Sequence, residues 1–300
     1  MIATRPALGI GAVQFGQAYG AVDHDRRPSP TEISEILEVG AAAGMAFIDT
    51  APVYGESEEL IGNALPAHSP LKIFTKTAHL NSNETDVRGA IRRGLERSLR
   101  ALQRSQIDAV LIHRPDDALG AQAAAVMDAL IAAKGEGLIK RIGVSLYDQD
   151  ELNAFRYIDA IQIVQLPISL LDQRLVVSGA LADLARHNVQ IFARSVLLQG
   201  LLLSAPDQIP NYFAPIRPLV ARIQSAAGQM GLTPLHICLG FMQSLANLDG
   251  VVLGLKSLEQ LREILSAWST APITLDWDMF AGSSTQMLDP RVWPSNATKR

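Results

Sequence analysis

Short unbroken runs of Ile, Val, Leu and Phe recur along the chain, and each is followed by a stretch in which apolar residues return every three or four positions. The runs are Leu8–Val13, Ala46–Asp49, Lys72–Lys76, Ile107–His113, Ile139–Val144, Ala160–Gln165, Val189–Arg194 and Gly250–Leu253. Continuous rather than alternating, they read as strands of a parallel sheet covered on both faces. The intervening stretches read as amphipathic helices with recognisable ends. Ser29-Pro30-Thr31-Glu32 is a capping box with proline in the first helical position, Ile33, Ile36 and Leu37 share one face, and Gly44 closes the helix. Ile91, Leu95, Leu99 and Leu102 form the apolar stripe of another helix, whose other faces carry Arg92, Arg93, Glu96, Arg97 and Arg100. Asp148 with Glu151, Ser257 with Gln260, and Thr233-Pro234 mark three further helix starts.

Eight strand–helix units in succession predict a closed (β/α)8 TIM barrel, with residues 1–300 as a single domain. A doubly wound dinucleotide fold would show a glycine-rich first turn leading into a helix. Here Gly9 and Gly11 are followed by Gln14 where the third glycine belongs, and Gln14–Gly20 reads as a loop with no helix start behind it.

Composition narrows the class. Of 300 residues 48% are hydrophobic and 19% charged, which excludes a disordered chain. With 26 Lys and Arg against 30 Asp and Glu, the net charge of −4 offers no footprint for nucleic acid, and no basic run suggests a membrane surface. No apolar run approaches 18 residues and no leader pattern opens the chain. The one cysteine, Cys238, lies among Leu235, Ile237 and Leu239, where an inert buried thiol is expected. A reducing, cytoplasmic setting is the resulting expectation, in which the sequons at Asn83 and Asn296 carry no information. The six histidines show no HExxH and no pair at ligand spacing, so no metal is expected.

In a barrel of this kind chemistry gathers where strands end. The second run ends at Asp49 and turns to Tyr54, the third ends at Lys76, and the fourth ends at His113. Singly each has an ordinary role as a cap, a half-buried ring, a solvent-reaching strand end or a core histidine. Jointly, an acid, a phenol, an ammonium and an imidazole converge on one rim and complement one another. A phenol titrates near pH ~10 in isolation, and an adjacent ammonium is expected to lower that value while the carboxylate holds the ammonium. Such a phenol donates a proton, and a neutral imidazole beside it orients a carbonyl.

These residues also carry a resemblance. Phe47-Ile48-Asp49-Thr50-Ala51-Pro52-Val53-Tyr54-Gly55-Glu56-Ser57-Glu58, Phe74-Thr75-Lys76, Asp108-Ala109-Val110-Leu111-Ile112-His113, Ile142-Gly143-Val144-Ser145 and Gln165 resemble the aldo-keto reductase superfamily along nearly the whole chain. The resemblance implies a barrel that reduces aldehydes and ketones with NADPH, with Asp49, Tyr54, Lys76 and His113 as its catalytic tetrad and Tyr54 as general acid. It implies that Ser145 and Gln165 hold the nicotinamide carboxamide, although Leu146 stands where many relatives have Asn. Arg194 falls where relatives place an aromatic ring under the nicotinamide, and its planar guanidinium is expected to stack there. Ser195 to Leu202, including Leu197, Gln199 and Gly200, resembles the loop that covers the pyrophosphate.

Gly254, Lys256 and Ser257 precede a helix N-terminus that attracts phosphate, and the resemblance assigns the 2′-phosphate there, to Lys256 or Ser257, in an exposed contact. Gln260 stands where many relatives have Arg, and Glu263 is implied at the adenine amine. The implied function is NAD(P)H-dependent reduction of a small, sugar-like aldehyde or ketone, with NADP(H) as cofactor and NAD(H) open. The alternative is a nicotinamide-nucleotide sensor or regulatory subunit with slow turnover. A small-molecule carbonyl compound is the expected partner, with no nucleic acid and no membrane, and the oligomeric state is unset. Trp277, Phe280 and Trp293 are expected in pocket or core.

Overall fold

Eight parallel strands close on themselves in chain order: β1 (Ala7–Gly11), β2 (Phe47–Asp49), β3 (Lys72–Lys76), β4 (Ala109–Ile112), β5 (Ile142–Ser145), β6 (Ile163–Pro167), β7 (Gln190–Arg194) and β8 (Gly250–Gly254), with β1 pairing both β2 and β8. The computed structural model describes residues 5–22, 26–81, 83–155, 158–282 and 284–294. His24 and the Asn296 sequon lie outside the described residues.

All eight expected strands are present, Lys72–Lys76 with the expected bounds and the others with shifted ends. Ile107 and Ile139, expected to open the fourth and fifth strands, pair only with each other in an isolated bridge. β6 begins three residues later than the apolar run, because Ile161 is held in a turn by its N–H to the Ile158 carbonyl, 2.8 Å. Apolar runs mark burial, and Ile139 and Ile161 are buried outside the ladder. β1 stops at Gly11, and Val13–Gly16 forms one helical turn that the reading of Gln14–Gly20 as loop did not foresee.

The helix starts are where the caps place them. Ser29 Oγ accepts from Glu32 N at 3.2 Å, while the Glu32 carboxylate turns outward to Arg26, so the reciprocal half of the box is replaced by an ion pair. Ser257 Oγ accepts from Gln260 N and Asp148 Oδ1 from Glu151 N. Gly44, at φ +83°, follows the first long helix (Pro30–Ala42) in the left-handed conformation that glycine tolerates.

Successive strand residues alternate between two cores. Ile48, Ile73, Val110, Val144, Val164 and Ile191 pack outward on the helices. Phe47, Phe74, Leu111, Ile163, Phe192 and Val252 fill the barrel as a floor. The Phe47 and Phe74 rings stack at 4.8 Å and Phe192 meets both edge-on at 5.1 Å. Space for these rings comes from glycine, since a Cβ on Gly9 would lie 2.2 Å from the Phe47 ring. Among the described residues no helix is long and apolar enough to cross a membrane.

Candidate active site

One strand step above the floor, on the same inward face, stand Asp49, Lys76, His113, Ser145, Gln165 and Arg194. Each lies two residues after an inward-facing floor position (Phe47, Phe74, Leu111, Gly143, Ile163, Phe192), so the pleat that builds the floor also delivers these side chains to the mouth. Lys76 Nζ donates to Asp49 Oδ2 at 2.7 Å and to the Thr50 carbonyl at 2.9 Å. Gln165 Nε2 donates to Asp49 Oδ1 at 2.8 Å, so a side chain from β6 braces the carboxylate that holds the β3 ammonium.

Tyr54 reaches the mouth from the turn after β2. The Lys76 ammonium lies 5.1 Å from its ring centre, and its ring meets His113 edge-on at 5.9 Å. The turn is fixed by Tyr54 N–H to the Ala51 carbonyl, by Ser57 Oγ to the Ala12 carbonyl at 2.9 Å, and by a Thr50–Ser57 hydroxyl contact at 3.0 Å. Backbone touches backbone here: a Cβ on Gly16 would stand 1.6 Å from the Tyr54 carbonyl oxygen. Beneath the turn, the Glu58 carboxyl accepts from Thr75 Oγ1 at 2.6 Å and Ser98 Oγ at 3.1 Å, and burial holds it above the usual carboxylate range.

The electrostatics correct one expectation. The Tyr54 phenol is not lowered; burial raises it, the Asp49 carboxylate adds to the rise, and Arg194 opposes. The phenol is therefore protonated across the neutral range. Burial also pulls the Lys76 ammonium down against the pull of Asp49. His113 is depressed to about 2, first by burial and then by Lys76 and His79, so its imidazole is neutral. Its Nδ1 is buried with no partner.

The other half of the mouth collects the residues expected to meet a cofactor. Arg194 does not reach for solvent: Nε donates to Ser145 Oγ at 3.2 Å, Nη1 to Ser195 Oγ at 3.2 Å and Nη2 to the Leu146 carbonyl at 2.9 Å. The loop beyond it is strained, with Ser195, Leu198 and Gln199 at positive φ beside Gly200, and the Gln199 carbonyl accepts from Ala21 N. Leu197 is half-buried on that loop. After β8, Lys256 N donates to Gln260 Oε1 at 2.9 Å, and Gln260 N to the Ser257 hydroxyl at 3.1 Å, so Gln260 braces the loop. Lys256 is buried, against the expectation of an exposed phosphate contact. Glu263 is exposed on the helix Leu258–Ser269.

Three participants carried no sequence signal. The Gln14 amide packs on Gly254, where a Cβ would lie 2.9 Å from it, and its Oε1 is buried without a partner. The Tyr147 ring has the Arg194 guanidinium at 3.9 Å and that of Arg291 at 3.8 Å. His79 stands 5.2 Å from the His113 ring. Of the aromatics expected in pocket or core, Phe280 is fully buried, while Trp277 and Trp293 pack partly buried against Phe241 and Phe213.

The donor set fits a carboxamide. Gln165 has committed its N–H to Asp49 and leaves Oε1 buried with no partner, while Ser145 Oγ accepts from Arg194 and keeps its own O–H to give. One waiting acceptor and one hydroxyl donor are what a nicotinamide amide requires.

The model of the "Aldo/keto reductase family" matches residues 7–280. The chain belongs to that family. This aldo/keto reductase is 32% identical over 183 residues to "Aldo-keto reductase YhdN" of Bacillus subtilis (strain 168), a match covering 58% of the chain and about half, 52%, of that relative. It is 25% identical over 286 residues to "6-dehydroglucose reductase" of Agrobacterium fabrum (strain C58 / ATCC 33970), covering 89% of the chain and 91% of the relative. Its fold superposes on "aldo-keto reductase AKR11C1 from Bacillus halodurans (holo form)" with TM-score 0.72 at 18% identity, covering 97% and 94% of the two chains. Family membership makes the protein an oxidoreductase.

Proposed function

We propose that this aldo/keto reductase reduces a small polyhydroxylated aldehyde or ketone with NAD(P)H, Tyr54 giving the proton. The observation that carries the reading is the convergence of Asp49, Lys76, Tyr54 and His113, cross-braced by Gln165, at one barrel mouth. The nicotinamide, when bound, supplies the hydride. The rest falls to the chain. Tyr54 holds a proton throughout the neutral range and offers it to the carbonyl oxygen as negative charge develops there. The Lys76 ammonium, held by Asp49 and Thr50, sits close enough to stabilise the phenolate left behind. Neutral His113 orients the same oxygen.

Ser145 and Gln165 would hold the carboxamide, and the loop Gly254–Ser257 with Lys256 would take the 2′-phosphate. A cytoplasmic setting and a single-domain chain complete the reading. A polyhydroxylated substrate suits a rim of tyrosine, histidine and amide groups, and the relative named for 6-dehydroglucose reduction supports the choice. The complete tetrad counts against a purely sensing role. A panel of aldehydes, ketones and sugars with NADPH and NADH tests the reading. Turnover of one carbonyl compound, lost in Tyr54→Phe, supports it, and no turnover of any together with no nucleotide binding refutes it.

A further inference from the structure

The two cations of the mouth are held differently. Asp49 and Lys76 neutralise one another at 2.7 Å. Arg194 stands beside them, and its three hydrogen-bond acceptors, Ser145 Oγ, Ser195 Oγ and the Leu146 carbonyl, are all neutral. Its guanidinium also lies 3.9 Å from the centre of the Tyr147 ring. The second guanidinium on that ring is a useful contrast. Two such groups cannot share one face at 3.8 and 3.9 Å, so Arg291 clasps the opposite side, and it is bonded to Asp289 at 2.8 Å, Glu151 at 2.5 Å and Asp148 at 3.4 Å. Asp49 is engaged by Lys76 and Gln165, and Asp289, the carboxylate that Arg194 acts on through space, is hydrogen-bonded to Arg291 instead. Among the described residues Arg194 thus has no carboxylate at hydrogen-bond distance, and its positive charge faces the mouth without a direct counter-ion.

That charge adjoins the group through which the ring would be held. Ser145 Oγ is bonded directly to Arg194 Nε, so a ring whose carboxamide rests on Ser145 and Gln165 comes into contact with the guanidinium. We propose that Arg194 makes the site discriminate between the oxidation states of the nicotinamide, holding the neutral reduced ring and weakening the positively charged oxidised one. The inference rests on the cofactor reading above. Like charges in contact at a half-buried site repel strongly enough to change affinity by about tenfold or more. By linkage, each tenfold difference raises the reduction potential of the bound couple by about 30 mV. The oxidised nucleotide left by each reduction is then the form the site retains least.

The Tyr147 clasp fixes the guanidinium in place, so the effect belongs to a preset charge. Oxidised and reduced forms carry the same phosphates, and the ratio of their dissociation constants therefore cancels every contact with the loop after β8. Fluorescence or calorimetric titration with NADP+ and NADPH reads that ratio in the wild type and in Arg194→Gln, Arg194→Met and Arg194→Lys. The expected result is a NADP+/NADPH ratio of dissociation constants that falls by about tenfold in the two neutral variants, mainly through tighter NADP+, and is retained in the lysine variant. A neutral variant that weakens both forms by one factor would overturn the proposal and leave Arg194 a stacking platform. A wild type that binds neither form would instead overturn the cofactor reading on which it rests.

Discussion

Phe47 and Asp49 lie two residues apart on β2, Phe74 and Lys76 on β3, and Ile163 and Gln165 on β6, so each strand contributes one residue to the barrel floor and one to the mouth. Burial does not separate the two layers. Phe47, Phe74 and Ile163 are 1%, 1% and 0% exposed, and Asp49, Lys76 and Gln165 are 5%, 2% and 1%. What differs is how burial is made tolerable. The floor needs only volume and ring geometry, whereas each buried polar atom of the mouth needs a named partner at hydrogen-bond distance. Partners are missing at Gln14 Oε1, Gln165 Oε1 and His113 Nδ1.

The sharpest way to separate the layers is Tyr54→Phe. It is expected to lower turnover by about 10²- to 10⁴-fold, the range for losing a positioned general acid, with the melting temperature and nucleotide affinity nearly unchanged. Retained turnover on a confirmed substrate would pass the donor role to His113. Next, Lys76→Met strands the Asp49 charge and is expected to cost about 3–5 kcal/mol of stability as well as activity. Adding Asp49→Asn should return part of the stability and none of the activity, as urea titration and kcat together will show. Phe74→Ala should cost a similar amount, about 3–5 kcal/mol, through a cavity in the floor. Its turnover per folded molecule should stay near wild type. If it falls as far as in Lys76→Met, the layers are not separable.

A further expectation is a pH dependence. The unfolded imidazole of His113 takes up a proton near pH ~6.5, whereas the folded one stays neutral until about 2. Between these values the unfolded chain binds the extra proton, so this contribution to stability is present above the unfolded value and is lost as the pH falls below it. His113→Gln should shallow the acid side of the stability curve between pH 7 and pH 4, measured by urea midpoints across pH, and an unaltered slope would show that the imidazole is not so buried.

Legibility followed the same division. The strands could be read, and with them the places of Asp49, Lys76 and His113, because each of these residues closes an apolar run and a period of two then carries it inward, whereas Tyr54 stands in the turn beyond its strand. The mouth's second half was read less well because its contacts join distant stretches of chain: Arg291 lies 140 residues from Glu151, and nothing local in either marks the clasp on Tyr147. The direction of the Tyr54 shift was misjudged for a related reason. A neighbouring ammonium is visible in the spacing of residues, whereas the desolvation that raises the phenol depends on how tightly the turn closes over the ring.

The contact between Gly16 and the Tyr54 turn bears on how this protein can be re-engineered. With a main-chain oxygen 1.6 Å from where any Cβ on residue 16 would sit, no library at that position can reshape the pocket without moving the phenol. The wall formed by the β1 loop is a fixed datum for the catalyst. His79 and Tyr147, whose contacts at the mouth are made by their side chains, are the positions open to such change.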